Sequence, residues 1–378
     1  MLPITRLLLT FRWFFCKIKR YKGRYCCFLL LGCYSVWLCG GCRRQEPPSP
    51  KPSPTPPSIM DESMRGVWLS YIELDEMLRG ATPATATVAI AAAMDTCVAN
   101  SINTVFFHLR AHGDAYYPSA VWPAAATAKA VMAAGFDPLA CAIAEAHKRG
   151  ISLHGWINPY RLSVPIADLS FQKNEVWYLD PANPTARQSV LVGVREIVTR
   201  YDVDGIHFED YFYPAGMAKK GEPFENIPPN TDATLWRQTQ VNTLVSGVYG
   251  LCHQHGKLFG VSPAADIEKN RTTAYADIPL WMTTAGYIDY ICPQLYTGFR
   301  HQTKPFLSLL EEWTALPRRD GVKLYIGLAL YKVGLPIDTY AGTGDDEWAT
   351  DEDIIPRQIE AVKDKADGYV LFRYGNLI

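Results

Sequence analysis

The chain has 378 residues, of which 37 are basic and 38 are acidic, so its formal net charge is −1. This balance excludes a protein that wraps nucleic acid, because neutralising phosphates requires an excess of Lys and Arg. Apolar residues make up 48% and charged residues 20% of the chain, which excludes an intrinsically disordered protein and favours a large buried core.

The N-terminal region has the features of an export signal. Residues 1–25 contain seven Lys or Arg and no acid, and residues 26–39 form an apolar run. This run has the length of a signal-peptide core and is short for a membrane-spanning helix, which needs about 20 residues. It ends in CGGC at 39–42, which resembles a bacterial lipobox and predicts lipidation of Cys42.

Two alternatives to lipidation at Cys42 remain open: LLGC at 30–33 is a competing box, and the apolar run can stay as an uncleaved anchor. Each alternative holds the chain at a bacterial cell membrane and places the remainder outside the cytoplasm. Residues 43–60 then contain seven Pro, which favour extended polyproline II. We therefore predict a signal segment at 1–42, a Pro-rich disordered linker at 43–60 and a folded domain at 61–378.

Cysteine spacing in the folded region indicates neither a disulfide framework nor a zinc site. The four Cys of this region, at 97, 141, 252 and 292, lie far apart and lack paired spacing. We expect them to be small buried residues, and we predict no cofactor. A divalent-metal-dependent deacetylase is one alternative, because several imidazoles and a carboxylate can converge inside one fold. These residues are His108, His112, His154, His207 and Glu209.

The folded region repeats one pattern, in which a β-rich run is followed by a loop and a helical segment. The predicted strands are 65–71, 102–110, 151–159, 204–211, 257–264, 288–296, 323–331 and 367–374. The predicted helices are 84–100, 137–149, 185–200, 231–255, 304–315 and 351–366. Eight strand-helix units predict an α/β fold of the (β/α)8 TIM-barrel type, without a regular eighth helix. An open doubly wound sheet is the alternative, which the absence of GxGxxG after the first strand disfavours.

Barrel geometry predicts where chemistry occurs, because active sites of this fold lie at the C-terminal ends of the strands. Strand alternation predicts that Ile206 and Phe208 face the helices and that their neighbours face the interior. The predicted inward residues of strands three and four are His154, Trp156, Asn158, His207, Glu209 and Tyr211. An inward carboxylate among aromatic rings is what glycoside hydrolysis requires. Asp204 and Asp289 begin their strands, so we expect structural roles for them.

Seven segments, in chain order, resemble the glycosyl hydrolase-like 10 family of bacterial, often lipid-anchored TIM-barrel proteins. They are RGVWLSY, HLRAHGDAYYPS, HGWINPYRL, WYLDPANP, VDGIHFEDYFYP, IDYICPQLY and GYVLFRYGNL. The resemblance covers residues 63–377, and DGIHFEDYFYP is its most specific segment. It implies hydrolysis of glycosidic bonds in a polysaccharide. The substrate class that it implies is cell-wall glycan, particularly peptidoglycan strands that lack stem peptides.

Two segments depart from the family pattern. The motif of strand four is usually DDYFYP, whereas its first acid here is Glu209, so either Glu209 or Asp210 is the working carboxylate. After strand five the family pattern is SPFG followed by a Trp and an Arg-Asn pair, whereas this chain reads SPAADIEKNR. Asn270 and Arg271 are candidates for the place of that pair, and Asp266 or Glu268 would supply local polarity.

The predicted catalytic residues are Glu209 and Asp210, with Asp114, in the loop after strand two, as the proton donor. Direct attack by a carboxylate and substrate-assisted cleavage, with an N-acetyl group held by Gln294 and Tyr296, both remain open. The predicted substrate-binding residues are Trp68, Arg110, His112, His154, Trp156, Asn158, Tyr160, Arg161, His207, Tyr213, Gln294 and Tyr296. The alternative function is a non-catalytic glycan-binding lipoprotein with a degenerate hydrolase site.

Overall fold

The computed structural model describes residues 63–209 and 212–377 of the chain. The predicted signal segment and linker, with lipidation at Cys42, lie outside the described residues, as do Asp210 and Tyr211. The strands of the described part are β1 (Met64–Leu69), β2 (Thr104–Arg110), β3 (Ser152–Ile157), β4 (Arg161–Leu162), β5 (Ser170–Lys173), β6 (Val176–Leu179), β7 (Gly205–Glu209), β8 (Leu258–Ser262), β9 (Tyr290–Ile291), β10 (Lys323–Leu328) and β11 (Gly368–Leu371).

Eight of these strands form a closed barrel of parallel strands in the order β1, β2, β3, β7, β8, β9, β10 and β11, with β11 pairing back to β1. The predicted (β/α)8 TIM barrel is therefore confirmed, and each of the eight predicted strands is present. The remaining strands form a small antiparallel sheet in the order β4, β6, β5. This sheet follows β3 at the C-terminal end of the barrel, and the sequence did not predict it.

Helices surround the barrel. They are α1 (Tyr71–Leu78), α2 (Pro83–Ala99), α3 (Lys129–Ala133), α4 (Pro138–His147), α5 (Pro184–Arg200), α6 (Ala233–Gln254), α7 (Ile267–Lys269), α8 (Ile278–Thr283), α9 (Phe306–Ala315), α10 (Glu347–Thr350) and α11 (Ile354–Val362). The six predicted helices are confirmed as α2, α4, α5, α6, α9 and α11. Along the described chain, β11 is followed by a 3-10 turn, Tyr374–Asn376, and by no α-helix.

Local sequence explains where several helices begin. The side chains of Thr82, Asp137 and Asn183 accept hydrogen bonds from backbone N–H groups in the first turns of α2, α4 and α5. Each of these cap residues is followed by Pro, whose fixed φ suits the first helical position and whose missing N–H is not needed there. The helix that follows β1 begins with a capping box between Ser70 and Glu73.

Strand alternation separates two apolar clusters. Ile206 and Phe208 of β7 are fully buried in the cluster between the strands and the helices. The second cluster fills the barrel interior and consists of Met64, Trp68, Phe106, Trp156, Tyr290, Cys292, Tyr325 and Val370. Glycines make room for these large side chains: a Cβ on Gly260 would lie 2.2 Å from the Tyr290 ring. The interior is therefore packed with side chains and is not a pore, as is usual for this fold.

Four polar side chains hold the strands in register at the N-terminal end of the barrel. We call them the register clips; they are Asn103, Asp204, Asp289 and Asp367. Each precedes its own strand and accepts a hydrogen bond from a backbone N–H of the neighbouring strand, with N···O distances of 2.7 to 2.9 Å. The structural roles predicted for Asp204 and Asp289 are thus confirmed. Within residues 63–209 and 212–377, no helix combines the length and the apolarity needed to cross a bilayer.

Candidate active site

The middle of the barrel contains a chain of hydrogen-bonded polar side chains. Trp68 Nε1 donates to His207 Nε2 at 3.2 Å, which identifies Nε2 as an acceptor and leaves the imidazole proton on Nδ1. His207 Nδ1 lies 3.1 Å from the Tyr290 hydroxyl, which lies 3.0 Å from His154 Nδ1. Ser262 Oγ is 3.0 Å from His207 Nε2. Each of these polar groups is therefore satisfied inside the protein.

Burial keeps these histidines neutral. It lowers the pKa of His154 to about 4, although Asp204 opposes this effect, and it lowers the pKa of His207 far below its ordinary value. Their side chains are 2% and 0% exposed. Both histidines, which were predicted to bind sugar hydroxyls, are buried and hydrogen-bond to protein groups, and their role toward a substrate stays a prediction. Trp68 is buried with them and cannot present its face to a sugar.

A second buried group crosses β2 and β3. The His108 and Trp156 rings stack with centroids 3.6 Å apart, and Trp156 Nε1 donates to Asn158 Oδ1 at 3.1 Å. The Arg110 guanidinium donates to the Asn158 carbonyl and lies 5.1 Å from the Trp122 ring centroid. Arg110, Trp156 and Asn158 are at most 3% exposed. They were predicted to bind substrate; the structure shows them buried and in contact with one another, and substrate binding by them stays a prediction.

Tyr160 and Tyr213 are also buried, at 0% and 3% exposure. Burial raises the pKa of both phenols. Tyr213 packs edge-to-face against Tyr275, with ring centroids 5.2 Å apart. Their rings are therefore core residues of the loops after β3 and β7, and the prediction that they stack on a sugar is not supported.

The C-terminal end of the barrel brings together a different set of side chains, each half-buried. Glu209, the last residue of β7, is in register with Ser262 of β8. Gln294 follows β9 and donates from Nε2 to the Ser262 carbonyl at 3.2 Å. Glu209 and Gln294 therefore flank the same residue at the ends of three adjacent strands. Asp210, the second predicted carboxylate, lies outside the described residues.

The loops after β2 and β3 supply the other polar groups of the mouth. Asp114 Oδ1 accepts a hydrogen bond from the His112 backbone N–H at 3.0 Å. Burial lowers the pKa of the His112 imidazole, and the positive charge of Arg161 lowers it further, whereas Asp114 opposes both effects. Asp114 also opposes the fall of the Arg110 pKa to about 10 that burial causes. These groups are therefore close enough to interact, as expected for one site.

Aromatic side chains that the sequence analysis missed complete the mouth. The Tyr71 ring meets the His112 ring edge-to-face, with centroids 4.8 Å apart. The Phe372 ring lies 5.8 Å from that of Tyr296, which was predicted to bind substrate, and 5.6 Å from that of Tyr331. Tyr331 and Phe372 both follow strand ends, so the rule that identified Tyr296 would also have identified them.

No group of three or more His, Cys, Asp or Glu is arranged to hold a metal ion within the part of the chain that the structure describes. The nitrogen atoms of His154 and His207 interact with hydroxyl and indole groups instead. The four Cys of the barrel domain, at 97, 141, 252 and 292, are free thiols.

A closed (β/α)8 barrel with a carboxylate at the C-terminal end of its fourth barrel strand is an arrangement that TIM-barrel glycoside hydrolases can use, and comparison with known proteins assigns the chain to that class. The sequence profile of the family described as glycosyl hydrolase-like 10 matches residues 63–174 and 166–343. The chain belongs to the glycosyl hydrolase-like 10 family, as its sequence motifs indicated. It is thus an enzyme that hydrolyses glycosidic bonds.

Named relatives agree with this assignment. The chain is 30% identical to glycosyl hydrolase DigH of Escherichia coli K12 over 368 aligned positions, which cover 81% of this chain and 83% of DigH. It is 29% identical to glycosyl hydrolase YngK of Bacillus subtilis over 350 positions, covering 80% of this chain and 67% of YngK. The PgaB (BpsB) glycoside hydrolase domain from Bordetella bronchiseptica has the same fold, with a TM-score of 0.56 at 14% identity, covering 82% of this chain and 93% of that domain.

Proposed function

We propose that this enzyme cleaves the glycan strands of peptidoglycan, particularly strands that lack stem peptides, while a lipid anchor holds it at the outer face of a bacterial cell membrane. The observation that carries the catalytic part is the position of Glu209. Its carboxylate ends a barrel strand directly above a packed and neutral interior, at the level where side chains become solvent-accessible. A negative charge at this place can stabilise or attack the oxocarbenium-like centre of a sugar.

In the proposed reaction, Glu209 or Asp210 faces the anomeric carbon and Asp114 protonates the leaving oxygen. The hydrogen bond from the His112 N–H fixes the position of Asp114 in the loop after β2, near Arg110 and His112. These contacts support its place at the mouth, and its role as the acid is the part that the Asp114→Asn variant tests. Gln294 lies two strands from Glu209, on the other side of Ser262, and in the proposal it orients an N-acetyl group in a substrate-assisted variant of the reaction. NMR of the newly formed reducing end distinguishes retention from inversion, and substrates without the N-acetyl group test whether that group takes part.

The central experiment is digestion of purified glycan strands by the full chain and by Glu209→Gln and Asp210→Asn. Both substitutions remove a charge at nearly constant shape. We expect the variant of the working carboxylate to lose about 10²- to 10⁴-fold in rate, as is usual for a group that assists proton transfer or charge development. Thermal unfolding midpoints close to that of the unmodified protein are the control for folding. Strand binding without shortening by the unmodified protein would contradict the proposal.

The anchor is tested separately. The proposal rests on the CGGC sequence that ends at Cys42 and on the Pro-rich residues 43–60, which would hold the barrel away from the bilayer. Cys42→Ser should move the protein from the membrane fraction to the soluble fraction and abolish incorporation of labelled fatty acid. Cys33→Ser is the matched control, and it should change neither the membrane fractionation of the protein nor its incorporation of fatty acid. If fatty-acid labelling is lost in Cys33→Ser and kept in Cys42→Ser, the lipid is attached at the competing lipobox, LLGC at 30–33.

A further inference from the structure

The segment between β10 and α10, residues 329–346, exposes an unusual number of apolar side chains; we call it the β10 loop. Five of its residues are large, apolar and at least 36% exposed, with Tyr340 at 86%. They are Tyr331, Val333, Leu335, Ile337 and Tyr340. Contiguous exposed apolar surface on a soluble domain usually marks a binding site.

The exposure does not result from a loosely held loop. Lys332 lies beneath it and donates from Nζ to the Tyr296 carbonyl at 2.9 Å and to Asp338 Oδ2 at 2.7 Å. Asp338 is 3% exposed, so this ion pair is covered by the loop. Backbone hydrogen bonds from Gly334 to the Trp348 carbonyl and from Asp338 to the Asp345 carbonyl fix its two sides. The loop is thus held so that its apolar side chains face solvent.

Aromatic contacts connect the β10 loop to the mouth of the barrel. The Tyr331 ring is edge-to-face with Tyr296, at 6.0 Å between centroids, and with Phe372, at 5.6 Å. Phe372 in turn lies 6.0 Å from Trp68 in the barrel interior. A continuous row of rings therefore extends from the interior, past Tyr296, to the exposed surface of Tyr331. Tyr331 is therefore the residue through which the β10 loop adjoins the candidate active site, and Tyr340 lies nine residues further along the same loop.

The position of the loop in the barrel suits a long substrate. β10 is the seventh strand in the barrel order, and β7, which ends in Glu209, is the fourth. The mouth therefore separates the two, and a chain of sugars whose cleaved bond lies at Glu209 would need additional units to reach Tyr331.

Charge favours a sugar over a lipid surface as the occupant. Residues 345–353, directly after the apolar side chains, contain six acids. Glu347 is buried, and Asp346 and Asp351 pair with Arg300 and Arg357. Glu352 and Asp353 are exposed, so the surface beside the loop is acidic through these two residues. Acids repel the anionic headgroups of a bacterial bilayer. An N-acetylhexosamine unit is uncharged, and its ring face and acetyl methyl are apolar, which suits aromatic stacking.

We propose that the β10 loop is a distal subsite, in which Tyr331 and Tyr340 bind N-acetylhexosamine units of the glycan several units away from the bond that is cleaved. This subsite rests on the proposed function and adds a reason for the enzyme to prefer long strands over short oligosaccharides. Of its two residues, Tyr331 follows a strand end and could have been identified by that rule, whereas Tyr340 lies in a segment that carries none of the family motifs.

The test compares long glycan strands with the shortest oligosaccharide that is cleaved, using the full chain. Tyr340→Ala and Tyr331→Ala should each lower the ratio of kcat/KM for long strands to kcat/KM for the oligosaccharide by about 3- to 10-fold, mainly through KM, as expected for one lost stacking contact. Tyr331→Phe keeps the ring and should keep the ratio. Leu235→Ala on α6, at a residue that is 62% exposed, is the matched control and should also keep it.

An unchanged ratio in both alanine variants would overturn the subsite while leaving the proposed function intact. Reduced vesicle binding by Tyr340→Ala with an unchanged ratio would overturn it in favour of a lipid contact. Should the unmodified protein cleave neither substrate, the proposed function fails. The subsite is then tested by sedimentation with the strands, where loss of binding in Tyr340→Ala supports it and unchanged binding overturns it.

Discussion

The barrel has two layers of inward polar residues, a lower layer in its middle and an upper layer at the C-terminal ends of the strands. The two layers differ in how far their side chains are exposed to solvent. His207 and Glu209 are two positions apart on β7 and point to the same side of the strand. His207 is completely buried and hydrogen-bonds to Trp68, whereas Glu209 is half-buried at the strand end. The lower layer therefore stabilises the barrel, and the upper layer is available to a substrate. A change in the lower layer should alter stability, and a change in the upper layer should alter activity.

The largest effect on stability is expected for His207→Ala. This change removes a ring that contacts Trp68 Nε1, Ser262 Oγ and the Tyr290 hydroxyl, and it leaves those groups unpaired beside a cavity. We expect the free energy of unfolding to fall by about 5 kcal/mol, from unsatisfied polar groups and lost packing together. Chemical denaturation measures it.

His147→Ala is the matched control for His207→Ala. His147 pairs with Asp204 at the surface, where the two side chains are 34% and 37% exposed. An exposed pair of this kind contributes less than about 1 kcal/mol. Equal destabilisation by the two substitutions would show that the buried network has no special role.

Acid should destabilise the protein through the same layer. The pKa of His154 is about 4 in the folded protein and 6.5 ordinarily, so between these values the unfolded chain binds a proton that the folded chain does not. Stability is retained above pH 6.5 and is lost as pH falls toward 4, by about 3 kcal/mol for this histidine. His108 and His207, whose pKa values are also lowered by burial, act in the same direction.

His154→Asn sharpens this prediction. Because Asn does not titrate, the free energy of unfolding of the variant should fall less steeply between pH 6.5 and pH 4 than that of the unmodified protein. Denaturation at a series of pH values gives both slopes. Parallel slopes would mean that His154 is already charged in the folded state.

The smallest effect on stability is expected at the mouth, for Asp114→Asn. The amide oxygen still accepts the hydrogen bond from the His112 N–H, so the free energy of unfolding should change by less than about 1 kcal/mol. Loss of the proton donor should nevertheless lower kcat by about 10²-fold. Kinetics on glycan strands measure kcat, and chemical denaturation measures the free energy of unfolding. Full activity of the Asp114→Asn variant would show that Asp114 is a structural residue of its turn and not the proton donor.

Sequence predicted the barrel well because period-two alternation and the repeated order of β-rich run, loop and helical segment can be recognised from local sequence. Alternation correctly placed Ile206 and Phe208 against the helices and His207 inside. It could not tell how deep an inward residue lies, since depth depends on how neighbouring strands are staggered around the barrel. His154, Trp156 and Asn158 were predicted as ligands from alternation alone, and the structure adds that all three are buried.

Short strands and loops were beyond prediction for a different reason. The sheet of β4, β5 and β6 is built from strands of two to four residues, which are too short for a periodic pattern. It is held by contacts between distant segments, such as Lys173 with Glu222 at 2.8 Å and the stacked rings of Phe171 and Phe224 at 4.3 Å. Contacts of this kind form only after the barrel has brought both segments together.

The register clips have a consequence for how this protein tolerates change. Asn103, Asp204, Asp289 and Asp367 align neighbouring strands from the end of the barrel opposite the mouth. Four of the eight strand pairs, β1 with β2, β3 with β7, β8 with β9 and β10 with β11, are therefore aligned by contacts away from the connections at the other end. Those connections are free to lengthen, shorten or be exchanged between homologues, so a new specificity can be acquired by grafting a loop without redesigning the scaffold.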